Sequence, residues 1–254
     1  MTASTLLSAA RHWQQTGDLA RAEAGYRQLL AIEPANAEIW YLLGSVCQPQ
    51  GKREETEAAY RRAVTLKPEF AAAQNSLGIA LAQQGRSREA EQCFADAVRV
   101  QRDFAQAHNN LGNALKEQGR RDEALACYRR AAALKPDFAE AYNNLGNVQR
   151  ELGQLDESIA NCRQALRLKP DLAEAHYNLG AAHCAQRQWE RAAASFRQAI
   201  ALRPNHAEAH SNLGAVYAAQ RQWDAAEASC RQAIALRPND AEAHSNLGHA
   251  LREL

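Results

Sequence analysis

The chain has 254 residues, 46 % hydrophobic and 23 % charged, with 30 basic and 29 acidic side chains and a net charge of +1. That balance leaves no general field to draw nucleic acid or an anionic membrane, and no run approaches the roughly 18 to 20 apolar residues of a membrane span. The opening MTASTLLSAARHWQQ has no basic stretch ahead of its short apolar LLSAA, so it does not read as a targeting leader, and a soluble, cytoplasmic chain is expected.

A 34-residue spacing organises everything that follows. Pro34, Pro68, Pro136, Pro170, Pro204 and Pro238 lie on one grid, interrupted at Arg102, with Pro49 alone off it. With the proline at position 32, position 1 falls at Ala3, Ala37, Ala71, Ala105, Ala139, Ala173, Ala207 and Ala241. Seven complete repeats and the first helix of an eighth are predicted, a single array over 3–254 with no insertion. Within each repeat, two amphipathic stretches predict helix A over positions 1 to 14 and helix B over 18 to 31. Apolar stripes fall at 4, 7, 8 and 11 in helix A and at 20, 24, 27 and 30 in helix B.

The first repeat ends its helix A at Gly17, position 15, where glycine takes a left-handed cap without strain. The second brings Gly44 at position 8, mid-helix, where a missing side chain lets helix B approach, and Pro49 near the end of its helix A. Pro49, Thr56 at the small position 20, and Arg102 in place of the grid proline mark weak joints, and the N-terminal repeats are expected to exchange amide protons fastest. From the fifth repeat on, Asp137 with Glu140, Asp171 with Glu174, Asn205 with Glu208 and Asn239 with Glu242 predict capping boxes. Lys135, Lys169, Arg203 and Arg237 sit at the negative ends of the preceding helices. Arg187 and Arg221 replace the position-15 glycine and should each cost about 1 kcal/mol if the left-handed turn persists. The last segment, AEAHSNLGHALREL, is a helix A whose Leu247, Leu251 and Leu254 lack a helix B, which predicts truncation or self-association at this end.

These residues resemble the tetratricopeptide repeat, with Trp40, Leu43, Gly44, Tyr60, Ala63 and Pro68 in one repeat and Tyr142, Leu145, Gly146, Ala165 and Pro170 in another. The resemblance covers essentially the whole chain. It implies an all-α fold, a right-handed superhelix (an α-solenoid) of helix pairs with the A helices lining a concave side. His108, His176, His210 and His244 at position 4, and Cys162 and Cys230 at position 24, depart from the pattern and soften the packing.

Asparagine is a poor residue for a helix interior, yet Asn110, Asn144, Asn178, Asn212 and Asn246 all occupy position 6, with Asn113 and Asn147 at position 9. At about 100° per residue, position 6 points about 150° away from the predicted stripe, which places it outside the core. The first three repeats have Ser8, Leu42 and Ser76 there instead. An amide offers donors and an acceptor together and so matches the backbone of an extended peptide whatever its side chains. In this respect the chain is similar to the repeats of O-linked N-acetylglucosamine transferases, where asparagines at the matching position hold substrate backbone. That resemblance implies a peptide-binding groove, or the recruiting arm of a larger glycosyltransferase. The competing reading is that the asparagines only bond neighbouring helices or follow duplication of one repeat.

Other chemistry is not indicated. The Lys and Arg clamp by which some such repeats hold a C-terminal carboxylate is missing, since position 2 is mostly Glu140, Glu174, Glu208 and Glu242. His176, His210 and His244 recur too far apart, at helix-packing distances of about 8 to 10 Å, to share a metal that wants nitrogens at about 2 Å; His206 and His210 are the single close pair. Trp189 and Trp223 are expected to cover the start of helix B. The six cysteines include no CxxC pair and read as reduced, structural thiols. No phosphate loop, catalytic carboxylate pair or activated nucleophile stands out, so neither enzyme activity nor a cofactor is expected.

Overall fold

A computed structural model describes residues 2–254. It divides into two compact units, the first ending at Cys127 and the second running from Tyr128 to Leu254. The first unit holds α1 (Ala3–Gln15), α2 (Leu19–Ile32), α3 (Ala37–Cys47), α4 (Arg53–Leu66), α5 (Ala71–Ala82), α6 (Ser87–Val100) and α7 (Ala105–Glu117). The division falls within α8 (Arg121–Leu134). The second unit continues with α9 (Ala139–Glu151), α10 (Leu155–Leu168), α11 (Ala173–Ala185), α12 (Trp189–Leu202), α13 (Ala207–Ala219), α14 (Trp223–Leu236) and α15 (Ala241–Glu253). Among the described residues there is no strand, and no helix is long and apolar enough to cross a membrane.

Every A helix begins on its predicted alanine, and each B helix runs over positions 17 to 30, one residue earlier than expected. The two glycine roles separate cleanly. A Cβ added at Gly78 would lie 2.6 Å from Cε1 of Phe94, and one at Gly146 would lie 2.7 Å from Sγ of Cys162, so position 8 is bare because a helix-B side chain fills the space. At position 15 the chain turns through positive φ, 83° at Gly17, and the same turn survives without glycine at Arg187 and Arg221, both at 57°. The proline is likewise dispensable where Arg102 replaces it, since α6 ends at Val100 and Phe104 N still bonds Gln101 O.

Within each unit an A helix packs on its own B helix, each B helix packs on the next A helix, and successive A helices touch, as α5 with α7 and α11 with α13. Three neighbours bury more than one stripe. Ala73, Ala107, Ala141, Ala175, Ala209 and Ala243 at position 3 are fully buried, as are Val46, Val148 and Val216 at position 10. Positions 3, 6 and 10 share a helix face, so position 6 lies on this second stripe rather than outside the core. In the other direction, position 30 is no core site: Ile32 is 64 % exposed, and Leu168, Leu202 and Leu236 are also exposed, because they end their helices.

The predicted capping boxes do not form. The caps of α9, α11 and α13 are Phe138, Leu172 and His206, with no side-chain cap bond, so Asp137, Asp171 and Asn205 stand one residue too early. At α15 the cap is Asp240, which accepts from Ala243 N, rather than Asn239. Glu140 and Glu174 are held instead by Lys169 and Arg203 at 3.2 and 2.5 Å, and Glu208 pairs with Arg237. All six cysteines are free thiols, and burial pushes Cys162 up to about 12.

Candidate functional site

The seven asparagines sit on A helices whose other faces are taken up by packing. Asn110 on α7 donates from Nδ2 to Oδ1 of Asn75 on α5 at 2.9 Å, and Asn178 on α11 repeats the bond to Asn143 on α9 at 2.9 Å. Asn212 on α13 donates to the hydroxyl of Tyr177 on α11 at 3.2 Å. Each reaches position 5 of the preceding repeat, so the ladder joins neighbouring A helices. Asn178 is buried at 6 % exposure, while Asn110, Asn144, Asn212 and Asn246 are half-buried. Each of the three bonds uses one of two amide N–H groups, leaving the amide oriented with a further donor and an acceptor of its own. The ladder changes at its last step: Nδ2 of Asn246 and Oγ of Ser211, buried atoms at the equivalent positions, have no partner. Of the position-9 pair, Asn147 accepts from Arg150 at 3.0 Å, and Asn113 joins Asn110 on the wall of an open cleft of about 200 Å³ between α5, α6 and α7.

The histidines have a role the sequence reading missed. Nε2 of His108, His176, His210 and His244 lies 2.8 to 3.1 Å from the carbonyl oxygen of residue 102, 170, 204 or 238 respectively. Trp40 Nε1 makes the same bond to Pro34 at 2.9 Å. A carbonyl only accepts, so each ring nitrogen carries the proton. Where position 4 is Trp or His, a ring N–H thus ties helix A to the turn before it, a signal present in the choice of those residues. His206 takes no part in a pair with His210; it is buried, stacks on Tyr177 at 4.8 Å and lies between Glu174 and Glu208.

Glu23, Cys47 and Glu55 come within 4.8 Å of one another. Their chemistry is that of an ion-pair cluster. Glu23 already accepts from Lys52, Gln50 and Arg27, and burial, then Glu23 itself, raises the Cys47 thiol. The same staple recurs at the next two seams, where Glu57 accepts from Gln84 and Arg86, and Glu91 from Gln118 and Arg120. Burial opposes ionisation of Glu57, but bonds from Arg61, Arg86 and Gln84 outweigh it and hold the carboxyl down at about 2.

Sequence profiles match along nearly the whole length of this helix-pair array. One described as a TPR repeat matches residues 112–152, 146–186 and 182–221, and one described as a tetratricopeptide repeat matches 207–240. The middle TPR-like domain of cilia and flagella-associated protein 70 matches 6–115. The chain belongs to the tetratricopeptide repeat family. A comparison with curated proteins found no match. Among solved structures, the Cut9–Hcn1 hetero-tetramer of the APC/C is similar over 95 % of this TPR chain at 21 % identity and a TM-score of 0.80; the chain spans 48 % of that protein. A tetratricopeptide repeat protein from Parabacteroides merdae is 16 % identical over 98 % of both chains, with a TM-score of 0.70. YrrB, described as a TPR protein with an unusual peptide-binding site, is 21 % identical over 74 % of this chain and 96 % of its own, with a TM-score of 0.59. At these identities the likeness is one of fold. Proteins of this repeat are interaction modules, and that is the class of function the fold carries.

Proposed function

We propose that this TPR array binds an extended peptide or protein segment through its A helices, with Asn110 and Asn113 in the first unit and Asn144, Asn147, Asn178, Asn212 and Asn246 in the second as rails for the peptide backbone. The observation that carries the reading is the recurrent bond from position 6 to position 5 of the preceding repeat. It fixes Asn110, Asn178 and Asn212 in one orientation before any ligand arrives, which lowers the ordering cost of binding. Glu140, Glu174 and Glu208 are neutralised by their own lysine and arginines, so they do not bias the groove toward a basic ligand.

The test is capture of a partner by the full chain and by a variant with Asn110, Asn144, Asn178, Asn212 and Asn246 all changed to alanine, with partners identified by mass spectrometry. Each lost amide contact is worth about 0.5 to 1.5 kcal/mol net, so the variant should lose capture by orders of magnitude while keeping its helical spectrum. Undiminished capture by the folded variant contradicts the rail. A second reading, the substrate-recruiting arm of a glycosyltransferase like the O-linked N-acetylglucosamine enzymes, is favoured by the N-N-L-G-N phrase at 109–113 and 143–147. A nucleotide-sugar domain in the same reading frame decides it. A second copy of the chain is also a partner in this proposal, through α15, where Leu251 and Leu254 are exposed and no atom lies within 4 Å of a Cβ built at Gly248. Light scattering at high concentration checks that.

A further inference from the structure

A slot recurs where a helix pair meets the next A helix, and its contents follow the residue at position 17. Between the second and third repeats Arg53 stands there, beside Thr56 and Ala80, and about 30 Å³ is left. Between the third and fourth, Ser87 stands there, and the cleft of about 200 Å³ opens among Ile79, Ala90, Phe94, Asn110 and Asn113. Between the sixth and seventh the residue is Trp189. Its ring packs in a cluster with Ala181, Ala192, Phe196 and Val216, which match Ile79, Ala90, Phe94 and Ala114 of the open cleft position for position. Trp223 marks the same place one repeat later: its ring meets His249 edge-on at 5.5 Å, and His249 is the position-9 counterpart of Asn113. Where a tryptophan is available, the protein puts an indole in this slot.

We propose that the Ser87 cleft receives an aromatic side chain of the bound peptide, which takes from outside the place that Trp189 takes from within. This rests on the peptide-groove reading and names the anchor that reading lacks. The floor is apolar and firm, with Phe94 at 2 % exposure and Ala90 fully buried. Ring pairs at such a floor favour offset or edge contacts at about 4.5 to 7 Å between centroids. An apolar cavity of about 150 Å³ already takes benzene, so the cleft has room for a phenyl or indole ring. Asn110 and Asn113 stand at its wall, where the backbone of the anchoring residue passes, so ring and rail act on the same residue of the ligand.

The experiment uses the full chain and four acetylated, amidated peptides, Ser-Ala-Ser-X-Ser-Ala-Ser, with X as Trp, Phe, Leu or Ala, followed by NMR titration. The Trp and Phe peptides should bind at least about tenfold tighter than the Ala peptide, with shifts centred on Phe94. Ser87→Trp copies the residue of the sixth and seventh repeats and should abolish that preference while leaving the Ala peptide unchanged. Ser87→Arg copies the second repeat and is the second variant should Ser87→Trp perturb the fold. Equal binding of all four peptides, no binding of the Trp peptide at millimolar concentration, or a Trp preference that survives both variants overturns the proposal. Asn110→Ala with Asn113→Ala separates it from the rail. If that double variant weakens all four peptides alike and X has no effect, the rail stands and the anchor falls. If X matters and the double variant is silent, the anchor stands and the rail falls.

Discussion

The first unit ties its seams with charge. Glu23, Glu57 and Glu91, at position 21, each accept from a glutamine at position 14 and a Lys or Arg at position 16 of the next repeat. In the second unit position 16 is Gln154, Gln188 and Gln222, position 21 includes Ile159 and Ala193, and the ion pairs lie within a repeat, Lys169 with Glu140 and Arg203 with Glu174. The backbone register is the same in both. The 34-residue grid therefore dictates helix starts and close approaches, while seam residues are exchangeable provided both partners change. A glutamate left at a seam without its cation would be a partly buried, unpaired charge, and the loss of both together avoids that cost.

The largest expected effect tests whether position 8 obeys packing rather than habit, by setting an interior repeat against the terminal one. Gly146→Ala brings a Cβ to 2.7 Å from Cys162 Sγ and 3.0 Å from the Ser158 carbonyl, whereas Gly248→Ala meets nothing within 4 Å. Overpacking costs about 1 to 3 kcal/mol, while an open helical site gains about 0.5 to 1 kcal/mol from the same change. Urea unfolding should move the two variants in opposite directions; equal shifts would show that Gly146 is not wedged against helix B.

Next in size are the arginines that stand in left-handed turns, a strain confined to the second unit. Arg187→Gly and Arg221→Gly should each stabilise by about 1 kcal/mol, because φ of 57° is costly for a residue with a Cβ. Slower amide exchange in α11 to α14, with α1 to α6 unchanged, is the expected pattern. If both variants are destabilised, the arginine side chains carry contacts worth more than the strain.

Acid sharpens the contrast in seam chemistry. Glu57 titrates at about 2 in the folded chain against an ordinary 4.5, so its contribution is complete above about pH 4.5 and is lost as pH falls toward 2. Discounted for solvent, that is on the order of 1 kcal/mol. Glu174 is also held at about 2, by His206 first and then, against burial, by Arg203, but its side chain is 42 % exposed against 17 % for Glu57. Glu57→Gln should therefore flatten the fall in stability between pH 5 and pH 3 more than Glu174→Gln does, measured by urea midpoints at low salt. A larger effect from Glu174→Gln would reverse the ranking.

The grid made the helix-A starts, both glycine roles and the left-handed turns legible before any coordinates, because each is dictated locally by a residue that breaks or permits a backbone conformation. What was not legible depended on neighbours. A single-stripe reading of helix A cannot see that α11 is packed by α9, α10, α12 and α13, so it left out positions 3 and 10 and put Asn178 outside the core. The capping boxes failed by one residue, a shift set by the turn in which Phe138 N bonds Lys135 O. The Ser87 cleft was legible only by contrast, since a serine at position 17 means little until Trp189 shows what the slot can hold.

The smallest effect concerns the asparagines themselves and compares two rungs of the second unit. Alanine in place of a mid-helix asparagine gains roughly 0.5 to 0.7 kcal/mol in helix propensity. At Asn178 the same change removes the 2.9 Å bond to Asn143, worth about 0.5 to 1.5 kcal/mol, and strands a buried acceptor. At Asn246 there is no such bond to lose, and a buried Nδ2 without a partner disappears. Asn178→Ala should be neutral to mildly destabilising and Asn246→Ala stabilising, a difference of about 1 kcal/mol in unfolding free energy. Ligand binding should move independently of that sign: both variants should weaken a captured peptide, because both amides lie on the proposed rail. If Asn178→Ala costs stability and Asn246→Ala changes neither stability nor binding, the asparagines are helix-to-helix fasteners and the rail is wrong.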